Sequence, residues 1–171
     1  SGGTNNNLGL MRADGSAVRD LTQIADGTQF YSPRFSPDGA HIALSAARQG
    51  QRDIAILKLR RDGEDLRADD AWEWIVTTAG TDRDPAWSAD GKHLYFSSDV
   101  SDVFNIYAVE LETGAVRQIT NVLGGAFNPT VDAEGVVYFS AYTADGFEIR
   151  QIRDEGTDVV LVQEPRPASS T

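Results

Sequence analysis

The sequence predicts an all-β chain, a β-propeller segment of four-stranded antiparallel blades, about three and a half of them. Three observations predict it. One motif occurs three times, each copy is followed by a second apolar strand at a fixed offset, and half of a further copy stands at the N-terminus. The copies are Pro33-Arg34-Phe35-Ser36-Pro37-Asp38-Gly39 followed by Ile42-Ala43-Leu44, Pro85-Ala86-Trp87-Ser88-Ala89-Asp90-Gly91 followed by Leu94-Tyr95-Phe96, and Pro129-Thr130-Val131-Asp132-Ala133-Glu134-Gly135 followed by Val137-Tyr138-Phe139. Ile54 lies 21 residues after Pro33 and Ile106 lies 21 after Pro85; Ile149 lies 20 after Pro129, because the third copy is one residue shorter after its Gly. An offset preserved through a deletion marks a repeated structural unit.

Taken in order, residues 1–6 read as a flexible lead-in. Residues 7–25 read as half a blade, its strands three and four being Asn7-Leu8-Gly9-Leu10-Met11 and Ala17-Val18-Arg19-Asp20-Leu21-Thr22, joined by Asp14-Gly15-Ser16. Residues 26–80, 81–124 and 125–163 read as full blades, and 164–171 as a tail or linker. In each blade the first strand ends in a tight Asp-Gly or Glu-Gly turn, where Gly permits positive φ. Strand three follows a polar loop, at Asp53–Leu57, Asn105–Val109 and Glu148–Ile152. Strand four is Trp74–Thr77, Val116–Thr120 and Val159–Val162. The charged stretch Arg60 to Asp70 lengthens the first full copy and is expected at a loop tip. About fourteen strands and no helix result. One blade buries little alone, so neighbours must stack to make the core. The aromatics Phe35, Trp87, Tyr95, Phe96, Tyr107, Tyr138 and Phe139 are expected in that inter-blade core.

The motif Phe35-Ser36-Pro37-Asp38-Gly39, then Asn105-Ile106-Tyr107 and a closing Leu21-Thr22, resembles the TolB-type propeller repeat. That family includes TolB-type, tricorn-type and prolyl-oligopeptidase-type propellers, and the resemblance covers roughly residues 6 to 163. It implies a non-enzymatic, protein-binding scaffold, in a periplasmic or cell-envelope setting, part of a larger protein or assembly and lipid-anchored upstream of residue 1 in one form of that setting. The alternative it implies is the accessory, substrate-gating propeller of a serine peptidase whose catalytic domain lies outside this chain. The same resemblance brings in sugar-active propellers such as oligogalacturonide lyases, which rely on several His and a metal.

The composition narrows the chemistry. The formal charge is −11, from 15 Lys plus Arg against 26 Asp plus Glu, which argues against nucleic acid as a partner. There is no Cys, so disulfides and thiolate metal sites are excluded. No apolar run approaches the roughly 18 residues of a membrane-spanning helix. The two histidines, His41 and His93, occupy the same repeat position, two residues after the turn Gly, and are read as serving the repeat. No Gly-x-Ser-x-Gly elbow and no phosphate-binding Gly-rich loop occurs. Ser36 and Ser88 are expected to hydrogen-bond the turn backbone. Asp99, Asp102 and Asn105 offer oxygens to a hard cation without an ordered ligand spacing, so loop solvation is the better reading. No cofactor is expected. The expected partners are proteins, with other blades of a longer chain or further copies of this one among them. Candidate partner-binding residues are Tyr31, Arg34, Trp72, Arg83 and Phe127, since Trp, Tyr and Arg dominate interface hot spots and these lie near strand starts or loops.

Overall fold

The structure, a computed structural model, describes residues 6–63, 65–155 and 161–163. Among them there is no helix, and fourteen strands form four antiparallel sheets. The first sheet is the N-terminal pair β1 (Gly9–Leu10) and β2 (Arg19–Asp20). The second runs β3 (Gln29–Phe35), β4 (His41–Arg48), β5 (Gln51–Asp62) and β6 (Asp65–Val76) in sequential order. The third holds β7 (Arg83–Trp87), β8 (His93–Ser98), β9 (Asn105–Glu110) and β10 (Val116–Gln118). The fourth holds β11 (Ala126–Val131), β12 (Val136–Thr143) and β13 (Gly146–Arg153).

The repeat turns close by side-chain chemistry. Ser36 Oγ donates to Asp38, Asp38 Oδ1 accepts from Ala40 N (2.9 Å), and Ser36 Oγ accepts from His41 N (2.9 Å). Ser88 and Asp90 repeat this with Lys92 N (3.0 Å) and His93 N (3.0 Å). The seryl hydroxyls hold both Asp38 and Asp90 below the usual carboxylate range. In the shorter third turn, Asp132 Oδ1 alone accepts from Glu134 N (3.0 Å) and Val136 N (2.8 Å). Strands three and four are tied by a second repeated device. Asn105 Oδ1 accepts from Thr120 Oγ1 and Val122 N, both at 2.9 Å, while Thr120 Oγ1 accepts from Ile106 N (2.9 Å). Asn7 and Thr22 reproduce it in the N-terminal pair, with Ile24 N (2.7 Å) and Leu8 N (3.0 Å) as donors.

Alternation along each strand sends side chains to two faces, and each inner sheet is covered on both. Leu8, with Leu21 and Ile24, packs against Phe30, Ile42, Leu44 and Leu57. Ala43, Ile54 and Val76 pack against Leu94, Phe96, Tyr107, Val109 and Val116. Tyr95, Ile106 and Ala108 pack against Ala126, Val137, Phe139 and Ala141. Tyr95, Phe96, Tyr107 and Phe139 are therefore core, as the repeat predicts. Phe35 is exposed and Trp87 and Tyr138 are half-buried, because Phe35 faces the cleft between the first strands and Tyr138 faces away from its neighbouring sheet.

Two features differ from the sequence expectation. The Arg60 to Asp70 stretch is not a loop but a lengthened β5–β6 hairpin, paired out to Asp62 and Asp65. Leu59, Leu66 and Ala68 give it an apolar face on the core. Arg60 pairs with Asp69, and Arg19 of β2 donates to Leu66 O (2.6 Å). The strand expected at 159–162 also lies elsewhere. Residues 159 and 160 are outside the described residues, and Leu161–Gln163 form β14, which pairs with β10 rather than β13. Just after β13, Asp154 takes both guanidinium nitrogens of Arg117 and the Tyr95 hydroxyl (2.7 Å). Burial works against the Arg117 charge, but the Asp154 carboxylate outweighs it and raises its pKa; burial, together with the bond to Asp154, pushes Tyr95 well up.

Candidate functional site

Antiparallel pairing puts the starts of β3, β7 and β11 at the same end of the sheets as the β4–β5, β8–β9 and β12–β13 connections. The Asp-Gly turns lie at the opposite end. At the first end each initial strand carries the same irregularity. Pairing slips by one residue between Tyr31 and Arg34, between Arg83 and Ala86, and between Phe127 and Thr130. The residue before each Pro is left-handed: Ser32 at φ 50°, Asp84 at φ 56° and Asn128 at φ 51°. A bulge of this kind bends the strand and re-aims side chains, and a non-Gly residue there costs roughly 1–2 kcal/mol. Asp and Asn bear it best.

The bulges bring three of the candidate residues to equivalent places, because Tyr31, Arg83 and Phe127 each stand two residues before the repeat Pro. The Arg52 guanidinium lies 4.3 Å over the Tyr31 ring. The Arg83 guanidinium lies 4.3 Å over Phe104 and 5.1 Å over Phe127. Phe104 and Phe127 are 5.2 Å apart, and Phe127 meets Phe147 at 6.1 Å. The two halves of this row are joined by polar contacts. Arg52 donates to Ser45 Oγ (2.9 and 3.1 Å), Ser32 Oγ donates to Asp84 Oδ1 (3.0 Å), and Arg83 Nε lies 3.3 Å from Asp84 Oδ2. Burial lowers the Arg52 pKa, and Asp84 partly restores it.

Arg34 and Trp72 lie apart from the row. Arg34 follows the first bulge, its carbonyl accepts from Trp87 Nε1 (3.0 Å), and it lines a cleft of about 540 Å³ with Asp84, Trp87 and Asn128 between β3, β7 and β11. Trp72 sits on β6 and meets Phe30 (5.4 Å) and Trp74 (6.2 Å) edge-on, where it packs on the core. Arg52, Phe104 and Phe147 were missed by sequence reasoning. They were findable, since each immediately precedes the strand-three residue Asp53, Asn105 or Glu148 and so shares one repeat position.

Beneath the row, Asp82 is fully buried in the β6–β7 connection. It accepts from Thr78 N (3.0 Å) and Thr78 Oγ1 (2.8 Å), and its own N–H donates to Arg52 O (2.8 Å). Burial pushes its carboxyl up to about 6 despite these bonds. The histidines serve separate places: His41 lies 6.5 Å from Trp87, and His93 lines a cleft with Tyr95 and Asp154. Two of the residues considered for a cation are committed to the fold, Asp99 Oδ1 to Thr81 N (2.6 Å) and Asn105 Oδ1 to its clamp, while Asp102 is exposed. No group of three or more His, Asp or Glu among the described residues could hold a metal ion.

The arrangement can grip a partner by stacking and by cation–π contact, with a cleft of mixed polar and apolar lining alongside. Among known proteins, the model of the TolB beta propeller domain matches residues 4–165. The chain is 26% identical over 126 residues to the uncharacterized peptidase YuxL of Bacillus subtilis, covering 68% of this chain and 17% of that protein. It is 35% identical over 51 residues to the Tol-Pal system protein TolB of Francisella tularensis, covering 30% of this chain and 12% of that one. The crystal structure of TolB from Acinetobacter baumannii superposes with a TM-score of 0.70 at 20% identity, over 90% of this chain and 36% of that one. The chain thus spans a minor part of each of these proteins.

Proposed function

The chain belongs to the TolB β-propeller family, and on that premise we propose that it is a non-enzymatic scaffold that docks a protein partner on the end bearing Tyr31, Arg83 and Phe127. The observation that carries this is the repeated bulge, which spends backbone strain three times to set these side chains in one row. Arg34, beside the row in the inner cleft, belongs to the same docking region, and Trp72 is a separate, peripheral candidate on β6. The match to TolB supports a periplasmic or cell-envelope setting within a larger protein or assembly. No helix among the described residues is long and apolar enough to cross a membrane.

The test is capture of a partner from the native host by the wild-type chain and by two variants. Tyr31→Ala with Arg83→Ala should lose it, while Lys92→Ala at the opposite end should keep it. Equal capture by both variants would remove the reading. The match to a peptidase favours a second reading, the accessory substrate-gating propeller of a serine peptidase. An α/β-hydrolase segment encoded in the same gene, with hydrolysis of a model peptide by the whole product, would establish it.

A further inference from the structure

Two repeat positions build the stacked row, one two residues before the repeat Pro and the other just before strand three. The first copy places its ring, Tyr31, at the first of these and its guanidinium, Arg52, at the second. The second copy reverses them, with Arg83 at the first position and Phe104 at the second. The reversal brings both guanidiniums to the boundary between the sheets β3–β6 and β7–β10, where Asp84 lies. Each of these sheets is packed against a described neighbour on both faces, so this boundary is an inner one. Short polar contacts hold it: Asp82 N donates to Arg52 O (2.8 Å), and Ser32 Oγ donates to Asp84 Oδ1 (3.0 Å).

The charges at this boundary do not balance. Burial lowers the Arg52 pKa most, Asp84 raises it, and Arg83 lowers it again. One carboxylate thus serves two half-buried guanidiniums. The donors do not balance either, since a guanidinium carries five N–H groups. Arg52 Nε and Nη2 both donate to Ser45 Oγ, and Nη1 makes no hydrogen bond among the described residues. Arg83 Nε is buried and has no acceptor in hydrogen-bonding geometry, although it lies 3.3 Å from Asp84 Oδ2. The Arg83 Nη atoms make no hydrogen bond among the described residues. Stacking on a ring uses the flat face of a guanidinium and leaves its N–H edge available. In a chain of formal charge −11 this is a local excess of positive charge, and complementarity across an interface calls for an anion there. The two oxygens of a carboxylate fit the paired N–H groups of a guanidinium, and a protein partner carries that group on its acidic side chains.

We infer that Arg52 and Arg83, each stacked on a ring and sharing Asp84, form a seat for an aspartate or glutamate side chain presented by a partner protein. This rests on the protein-docking reading above and names the chemistry of one contact in it.

The experiment titrates the chain with the capped peptide acetyl-Gly-Ser-Glu-Ser-Gly-amide, whose side chain is its one carboxylate, and with its glutamine counterpart, following the Nε–H signals of Arg52 and Arg83 by NMR. The glutamate peptide should shift both signals, and the glutamine peptide should bind about tenfold more weakly. Arg83→Gln should weaken glutamate-peptide binding about tenfold, while Lys92→Ala at the opposite end should leave it unchanged. Asp84→Asn removes the internal competitor yet keeps an acceptor for Ser32, and Asn128 already stands at this repeat position with the same left-handed backbone. It should tighten glutamate-peptide binding about threefold, an effect that a merely structural Asp84 would not produce. Equal binding of the two peptides, or glutamate-peptide binding that is unchanged or weaker in Asp84→Asn, overturns the seat. Tighter binding of inorganic phosphate than of the glutamate peptide overturns the choice of a carboxylate. If the seat fails while Tyr31→Ala with Arg83→Ala still loses the partner, only this contact is wrong. If the glutamate peptide binds through Arg83 but that double variant keeps its partner, the docking reading is the one that falls.

Discussion

The sheet β7–β10 and the sheet β11–β13 are made from the same motif, yet their equivalent residues meet opposite fates. Ile106 on β9 is fully buried between its own sheet and β11–β12, as Ile54 is one unit earlier. Ile149, at the same repeat position, is 76% exposed. Tyr95 is buried and its counterpart Tyr138 is only half so. The N-terminal pair shows the converse on its other face. Met11 and Val18 are exposed, while their counterparts Val109 and Val116 are fully buried. In a stacked array, burial belongs to the interface between units and not to the residue type.

The sharpest way to break this comparison is to truncate the equivalent isoleucines. Ile106→Ala should cost about 3 kcal/mol in urea unfolding, through lost burial and the cavity left behind. Ile149→Ala should cost less than about 0.5 kcal/mol. Similar losses at both sites would mean that the β13 face is covered in solution. The next effect in size tests what joins the two sheets. Asp154→Ala leaves the Arg117 guanidinium largely buried without its carboxylate, which should cost about 3 kcal/mol. Adding Arg117→Met should recover much of the loss, and no recovery would show that Asp154 acts otherwise than through Arg117.

The Asn clamp compares a complete sheet with the N-terminal pair. Asn105 is buried and Asn7 exposed, though both accept from a Thr hydroxyl and a backbone N–H. Asn105→Ala should cost about 2 kcal/mol, since it strands buried donors, and Asn7→Ala about 0.5 kcal/mol. The smallest effect concerns pH. The Asp82 carboxyl has a raised pKa in the folded state, so its contribution to stability is fully present below the unfolded value near 3.8 and is lost as pH rises through about 6. Lowering pH from 7 to 5 should therefore add roughly 1 kcal/mol from this group. Asp82→Asn should flatten that part of the profile, and an unchanged slope in the variant would assign it to another group.

Much of the fold was legible because the repeat encodes local closure. Ser36, Asp38, Ser88 and Asp90 close turns through contacts within five residues, and Asn105 with Thr120 does the same across one hairpin. What escaped depends on longer range. Alternating charge in Arg60 to Asp70 resembles a solvated loop, and only its packing on the core and the reach of Arg19 show it to be paired strand. The pairing of β14 with β10 and the meeting of Arg117 with Asp154, 37 residues later, are likewise long-range contacts that leave no local pattern. At the candidate site, Tyr31, Arg83 and Phe127 stood out as large residues near strand starts, but the bulge that aligns them leaves no length signature, because the slip occurs in every copy. Arg34 and Trp72 met the same criterion, and their neighbours take them elsewhere.

The central claim is that one end of the sheets, and not the end with the Asp-Gly turns, meets a protein partner. Photo-crosslinking in the native host addresses it directly, with benzoylphenylalanine placed at Tyr31 or Phe127 in one set of chains and at Asp38 or Asp90 in another. Adducts to a single protein from positions 31 and 127, with none from 38 and 90, are the predicted result. Adducts from 38 and 90 alone, or equally from both ends, would contradict it.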